Sequence, residues 1–165
     1  MKPHQNRLIF LSANRGKQSI TIDIRQQKGQ AIIHQLIESC DVLIENFKVG
    51  SLEKYHLDFA SLSAINPKLI YCSITGFGQN EPYSQRAGYD FLLQGMGGLM
   101  SVTGEPDHLP GGGPQKVGVA LTDILTGMYA TTAIQAAIIE RKKSGLGQHI
   151  DLALLDVQVA CLANQ

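Results

Sequence analysis

Neither sign of charge prevails in this sequence: Lys plus Arg number 14, Asp plus Glu number 14, and only 17% of residues are charged. Without a basic stripe there is no footprint for nucleic acid, so any anionic ligand has to be held locally. Cysteine is scarce too. Cys40, Cys72 and Cys161 are odd in number and widely spaced, which excludes a disulfide framework and predicts free buried thiols in a reducing compartment. No CxxC pair and no histidine cluster offers a zinc signature, so no metal site is expected. No apolar run approaches the ~20 residues of a membrane span, and residues 1–7 are polar, without the apolar centre of a signal peptide. The expectation is a soluble, cytoplasmic protein with no membrane or nucleic-acid partner.

What is present is a core-forming chain: 165 residues, 44% hydrophobic, enough for one ordinary domain. Residues 19–24 alternate apolar and polar with period two, a strand signal. Residues 29–40 cluster Ile32, Ile33, Leu36 and Ile37 on one helical face. Val42, Leu43 and Ile44 predict a second strand, ending at Glu45, Asn46 and Phe47. Short helical pieces are expected at 51–55 and 59–65, the second limited by Pro67. Residues 69–74 predict a third strand, followed by Thr75, Gly76, Phe77 and Gly78. Alternating strands and helices predict an α/β fold: a Rossmann-like parallel sheet with crossover helices. Residues 104–118, rich in glycine and proline, read as a loop. Residues 120–143 predict one long helix, apolar round most of its circumference and therefore buried, with a basic end suited to the negative pole of its dipole. Gly145 and Gly147 close it, residues 148–155 predict a further strand, and the chain is expected to finish early in another helix.

Open parallel sheets bind ligands beyond the carboxyl ends of their strands, which draws attention to Asn46, Phe47 and residues 75–78. Asn46 has the groups to hydrogen-bond an amide or adenine, and Phe47 has a face on which a flat ring can stack. Both are equally at home as turn residues. Gly111, Gly112 and Gly113 lack the following GK[ST] of a P-loop and read as flexible loop. Asp123, near the start of the long helix, has two readings. Either Thr122 or Asp123 is suited to cap that helix. A carboxylate there is also kept ionised by the dipole and by free amide hydrogens, and so serves as a nucleophile toward an activated acyl group. Asp151, in a predicted strand, and Asp156, near its end, are rivals. The histidines show no triad or metal spacing. Lys54, Arg25, Lys17 and Arg15 are each able to reach phosphate, or to stand as solvated surface charges.

Several stretches together resemble the family III CoA-transferases, the family of formyl-CoA transferase and carnitine CoA-transferase. They are residues 12–20 (SANRGKQSI), 41–47 (DVLIENF), 66–79 (NPKLIYCSITGFGQ), 86–90 (RAGYD), 118–123 (GVALTD) and 144–148 (SGLGQ), in family order across nearly the whole chain. The resemblance implies a Rossmann-like large domain, a small second domain and two subunits interlocked as linked rings. It implies that residues 1–165 are part of that large domain, without the first βα unit, the small domain and the returning C-terminal segment. It also implies an aspartate nucleophile, at Asp123, that passes through an aspartyl-CoA thioester. CoA contacts are implied for Ile22, Arg25, Asn46, Phe47 and Lys54, with Tyr89 near the acyl site. Lys54 stands where the family usually has arginine, which keeps the charge and loses the bidentate fork. The partners implied are acyl-CoA and a small carboxylic acid, with CoA as substrate and no permanently bound cofactor.

Two alternatives stand beside this. The α-methylacyl-CoA racemases share the fold and move an α-proton with a histidine and an aspartate; here the histidine's place holds Tyr89, and a phenol of ordinary pKa ~10 is a weak base. The other alternative is a non-catalytic fragment.

Overall fold

The computed structural model describes residues 10–165, so the polar opening at residues 1–7 lies outside the described residues. Three strands form one parallel sheet in the order β1-β2-β3: Val42–Glu45, Ile70–Thr75 and His149–Ala153. Helix α1 (Gln27–Ile37) leads into β1. A short 3-10 turn (Glu53–Tyr55) and α2 (Phe59–Ile65) cross from β1 to β2. The crossover from β2 to β3 carries α3 (Asp90–Met96), α4 (Leu99–Thr103), the glycine-rich loop and α5 (Leu121–Ser144); α6 (Leu154–Cys161) follows β3 directly. The α/β fold expected from the alternation of elements is the one observed.

The central strand explains the register. Ile70, Cys72 and Leu69 are fully buried and Tyr71 and Ser73 nearly so, as a strand covered on both faces requires. Beneath α2, Leu62 and Leu69 pack with Ile37, Leu52, Leu57 and Tyr71, whose hydroxyl donates to Leu57 O at 2.9 Å. Asp58 fixes where α2 begins by accepting from Ser61 N at 3.1 Å and Ser61 Oγ at 2.7 Å. Leu62→Ala, emptying a fully buried position, is expected to cost about 2–5 kcal/mol in a denaturant titration.

Several expectations need correction. Residues 19–24 form no strand: 19–23 lack regular secondary structure and Ile24 lies in a turn, because alternation marks two faces and does not supply a partner. The predicted strand at 148–155 gives up its last two residues to α6, and that helix ends at Cys161 rather than continuing past the chain's last residues. Helix α5 is not buried all round. Its covered stripe is Thr122, Thr126, Ala130 and Ala137, while Ile124, Met128, Tyr129 and Ile139 are exposed. The small side chains let α5 lie close to its neighbours, so the larger apolar groups face outward. Gly145 does close α5, at φ +77° with its amide on Arg141 O at 2.8 Å. Of the thiols only Cys72 is buried, and burial pushes its pKa up; Cys161 is exposed. Among the described residues, no helix is long and apolar enough to cross a membrane.

Candidate active site

A cleft of about 370 Å3 opens at the carboxyl ends of all three strands. Asn46 enters it just after β1, Ile74 from the end of β2 and Leu154 just after β3. Tyr89 and Asp90 come from the start of α3, and Asp123, Thr126 and Gly127 from the first turns of α5. This is where an open parallel sheet holds its ligand.

Asn46 is fixed across the sheet by its Nδ2, which donates to Ile74 O. Tyr89 is brought to the end of β2 by a backbone approach so close that only glycines fit it. A Cβ on Gly76 would lie 2.5 Å from Gly88 Cα and 2.8 Å from Gly88 N. Tyr89 itself is 71% exposed and stands as a wall between this cleft and a neighbouring one of about 200 Å3. Phe47, Lys48 and Arg86 line that second cleft, which shares Asn46, Gly88 and Tyr89 with the first.

Asp123 is the third residue of α5, and neither it nor Thr122 caps the helix: the N-cap position is Ala120, without a side-chain cap. The capping expectation fails because a carboxylate from another helix has taken the task. Asp90 Oδ1 accepts from Thr122 N at 2.9 Å and Asp123 N at 3.4 Å. The Asp123 carboxylate is thereby left without a hydrogen-bond donor among the described residues, facing the cleft. Its pKa is raised, first by the protein mass that displaces water around it and second by the negative charge of Asp90. That reverses the expectation of a carboxylate favoured by the helix N-terminus, since the open amides it would have used belong to Asp90.

A buried polar network stands behind this arrangement. Gln94, fully buried, donates from Nε2 to Asp90 Oδ2 at 2.7 Å. On the other side, Thr122 Oγ1 donates to Gln158 Oε1 at 2.7 Å, and Gln158 Nε2 donates to Leu93 O at 2.7 Å. Of these groups only Thr122 was singled out from the sequence, as a candidate cap, and its hydroxyl instead serves Gln158. The spacing of Asp90 and Gln94, four residues apart on one helical face, is the signal that was available.

The remaining expected contacts lie elsewhere. Ile22, Arg25 and Lys54 line neither cleft. Arg25 is occupied by a neighbour: its Nε and Nη2 bond Asp23 at 2.9 and 3.0 Å. Lys54 Nζ sits 4.8 Å from the centroid of the Tyr55 ring. Of the rivals to Asp123, Asp151 accepts from Gln79 N at 3.0 Å in β3, and Asp156 lies in the first turn of α6. His149 opens β3 and is exposed there. It bonds Ser73 Oγ at 2.9 Å and stacks on Phe59. Among the described residues no group of three or more His, Cys, Asp or Glu side chains is placed to hold a metal ion.

The protein is thus an α/β protein with an exposed carboxylate at the strand ends of its parallel sheet. The chain belongs to CoA-transferase family III, whose sequence model matches residues 1–165. It is 58% identical over 94% of its length to the succinate–glutarate CoA-transferase of Agrobacterium fabrum, and 47% identical over 94% to the human succinyl-CoA:glutarate CoA-transferase. It covers 38% and 34% of those two proteins. Among solved structures, a CAIB/BAIF family protein from Brucella suis superposes with a TM-score of 0.87 at 58% identity, over 92% of this chain and 39% of that one. The chain thus spans well under half the length of the relatives it matches.

Proposed function

We propose that the protein carrying this chain transfers CoA from an acyl-CoA to a free carboxylic acid, with Asp123 as nucleophile. The observation that carries the reading is the Asp123 carboxylate itself: undonated, raised in pKa, and set in a cleft at the strand ends. Basicity and nucleophilicity rise together, as they do for thiols, so a carboxylate lacking stabilising donors is a stronger nucleophile once ionised.

The steps balance without a proton. An Asp123 oxygen adds to the thioester carbonyl carbon, the C–S bond breaks, and CoA thiolate leaves an acyl–aspartyl anhydride. The thiolate adds to the Asp123 carbonyl carbon, and the anhydride C–O bond breaks. The donor acid departs as its carboxylate, leaving an aspartyl-CoA thioester. The acceptor carboxylate then runs the sequence in reverse. Each step exchanges one anion for another, and the cleft lining fits that need: it holds no histidine, lysine or cysteine among the described residues. A racemase pairs its aspartate with a histidine to move the α-proton, and with Tyr89 in that place the lining favours transfer.

Asn46, Phe47 and Tyr89 are placed to meet the thioester end of CoA, with Ile22, Arg25 and Lys54 farther along the bound molecule. The names of the two relatives quoted above support short dicarboxylates, such as succinate and glutarate, as donor and acceptor acids. The chain then supplies part of the large domain of a protein that assembles as an interlocked homodimer.

The test uses the intact protein with succinyl-CoA and isotopically labelled glutarate. Labelled glutaryl-CoA is expected by mass spectrometry, and hydroxylamine added before the acceptor is expected to leave a hydroxamate on the Asp123 peptide. Deuterium uptake at C2 of a chiral 2-methylacyl-CoA in D2O, with no acceptor acid, would instead establish the racemase.

A further inference from the structure

We infer that Gln94 is a positioning residue for Asp123, acting through Asp90 and through the chain that enters α5. The inference rests on the reading of Asp123 as the nucleophile. The Gln94 side chain is completely enclosed and fully bonded. Its Nε2 donates to Asp90 Oδ2 at 2.7 Å and to Val119 O at 3.3 Å, and its Oε1 accepts from Val117 N at 3.0 Å. The first bond holds the Asp90 carboxylate so that Oδ1 faces the Thr122 and Asp123 amides. The other two bonds secure the segment that delivers those amides. One carboxamide therefore fixes both the acceptor at the start of α5 and the backbone that must meet it.

Neither side chain of similar size does both tasks at this position. Glutamate keeps the acceptor for Val117 N but sets a second carboxylate against Asp90. Methionine keeps the volume and loses donor and acceptor alike. The consequence for Asp123 is direct, because its own amide is one of the two that Asp90 holds, and a displacement near 1 Å at a reacting group costs about 10²-fold in rate.

The deciding experiment compares four variants of the intact protein. Gln94→Met is expected to lower kcat about 10- to 100-fold with KM for the acyl-CoA nearly unchanged. Leu62→Ala, a core change beneath α2, should leave kcat of the folded enzyme as it was. Asp90→Asn sets donor against donor in either orientation of the new amide: toward Gln94 Nε2 in one, toward the Thr122 and Asp123 amides in the other. Combining Asp90→Asn with Gln94→Glu restores the pairing with its direction reversed, since the amide at position 90 then donates to the carboxylate at 94, and loses only the longer 3.3 Å bond to Val119 O. At least about tenfold of the kcat lost in Asp90→Asn should return in the double variant, the signature of a coupled pair. Wild-type kcat in Gln94→Met, or no recovery in the double variant, overturns the inference and leaves Asp123 as nucleophile. Should Gln94→Met fail to fold, the comparison of single and double variants at position 90 still decides. Full transfer by Asp123→Asn would overturn the underlying reading instead.

Discussion

Asp123→Asn in the intact protein is expected to lower kcat for CoA transfer by about 10⁴-fold or more, the usual consequence of removing a nucleophile, while the Kd for CoA stays within a few-fold. The replacement has nearly the same shape, and the amides around it stay on Asp90, so the start of α5 has no reason to move. No hydroxamate should form at position 123 when acyl-CoA and hydroxylamine are supplied together. Transfer at a substantial fraction of the wild-type rate would remove Asp123 from the chemistry.

The same substitution separates function from stability. The folded-state pKa of Asp123 is raised, so the fold binds its proton more tightly than the unfolded chain does. Such a group contributes stability that is present below the unfolded pKa and lost as pH rises through the folded one. At pH 7 the wild-type protein has lost that contribution and carries an ionised group it would be better without. Asn cannot ionise, so the variant should unfold at the same temperature as wild type or slightly higher at pH 7, with the difference vanishing near pH 3. Rate and stability then move in opposite directions, the pattern of a site kept for chemistry. In the wild-type enzyme the acid limb of kcat/KM should lie above the ordinary aspartate value for the same physical reason.

Legibility of the fold followed how local each signal was. The bounds of α2 could be read to the residue, with Pro67 as the limit after it, and the structure adds the Asp58 cap before it. β1 and β2 announced themselves as apolar runs. Residues 19–24 carried an equally good alternation and form no strand, because pairing is a property of two segments and the sequence pattern describes one. Helix α5 showed the converse. Its apolar content predicted burial, yet the covered stripe is threonine and alanine, chosen for close approach rather than hydrophobicity. At the site, Asn46 and Tyr89 could be placed near Asp123 from the strand ends and the family resemblance together, and they line its cleft. What stayed hidden was Asp90. An aspartate next to a helix start suggests a cap for that helix, and nothing local says that its carboxylate serves a second helix 32 residues later. With the cap assigned to the wrong residue, the direction of the Asp123 pKa followed wrongly from it.

Gly88→Ala is expected to damage stability and rate together, because it acts where two backbones touch. The reciprocal contact at Gly76 shows the scale: a Cβ there would lie 2.5 Å from Gly88 Cα, and a peptide backbone has no rotamer by which to yield. The loop at residues 79–88 must then lift from the end of β2. Tyr89 and Asp90 follow immediately, so the same movement draws the acceptor away from the Thr122 and Asp123 amides. Overpacking of this kind costs about 1–3 kcal/mol, read from denaturant midpoints. The displacement at the nucleophile should lower kcat by about 10²-fold. Gly76→Ala should reproduce both effects. In the double variant the gap is already open after the first methyl, so the combined loss in stability should fall well short of the sum, as contacting sites do. Strict additivity would mean that the two glycines are not one contact and that the position of Tyr89 has another cause. Substantial coupling would place the control of Asp123 two contacts away from it, in a pair of residues with no side chain at all.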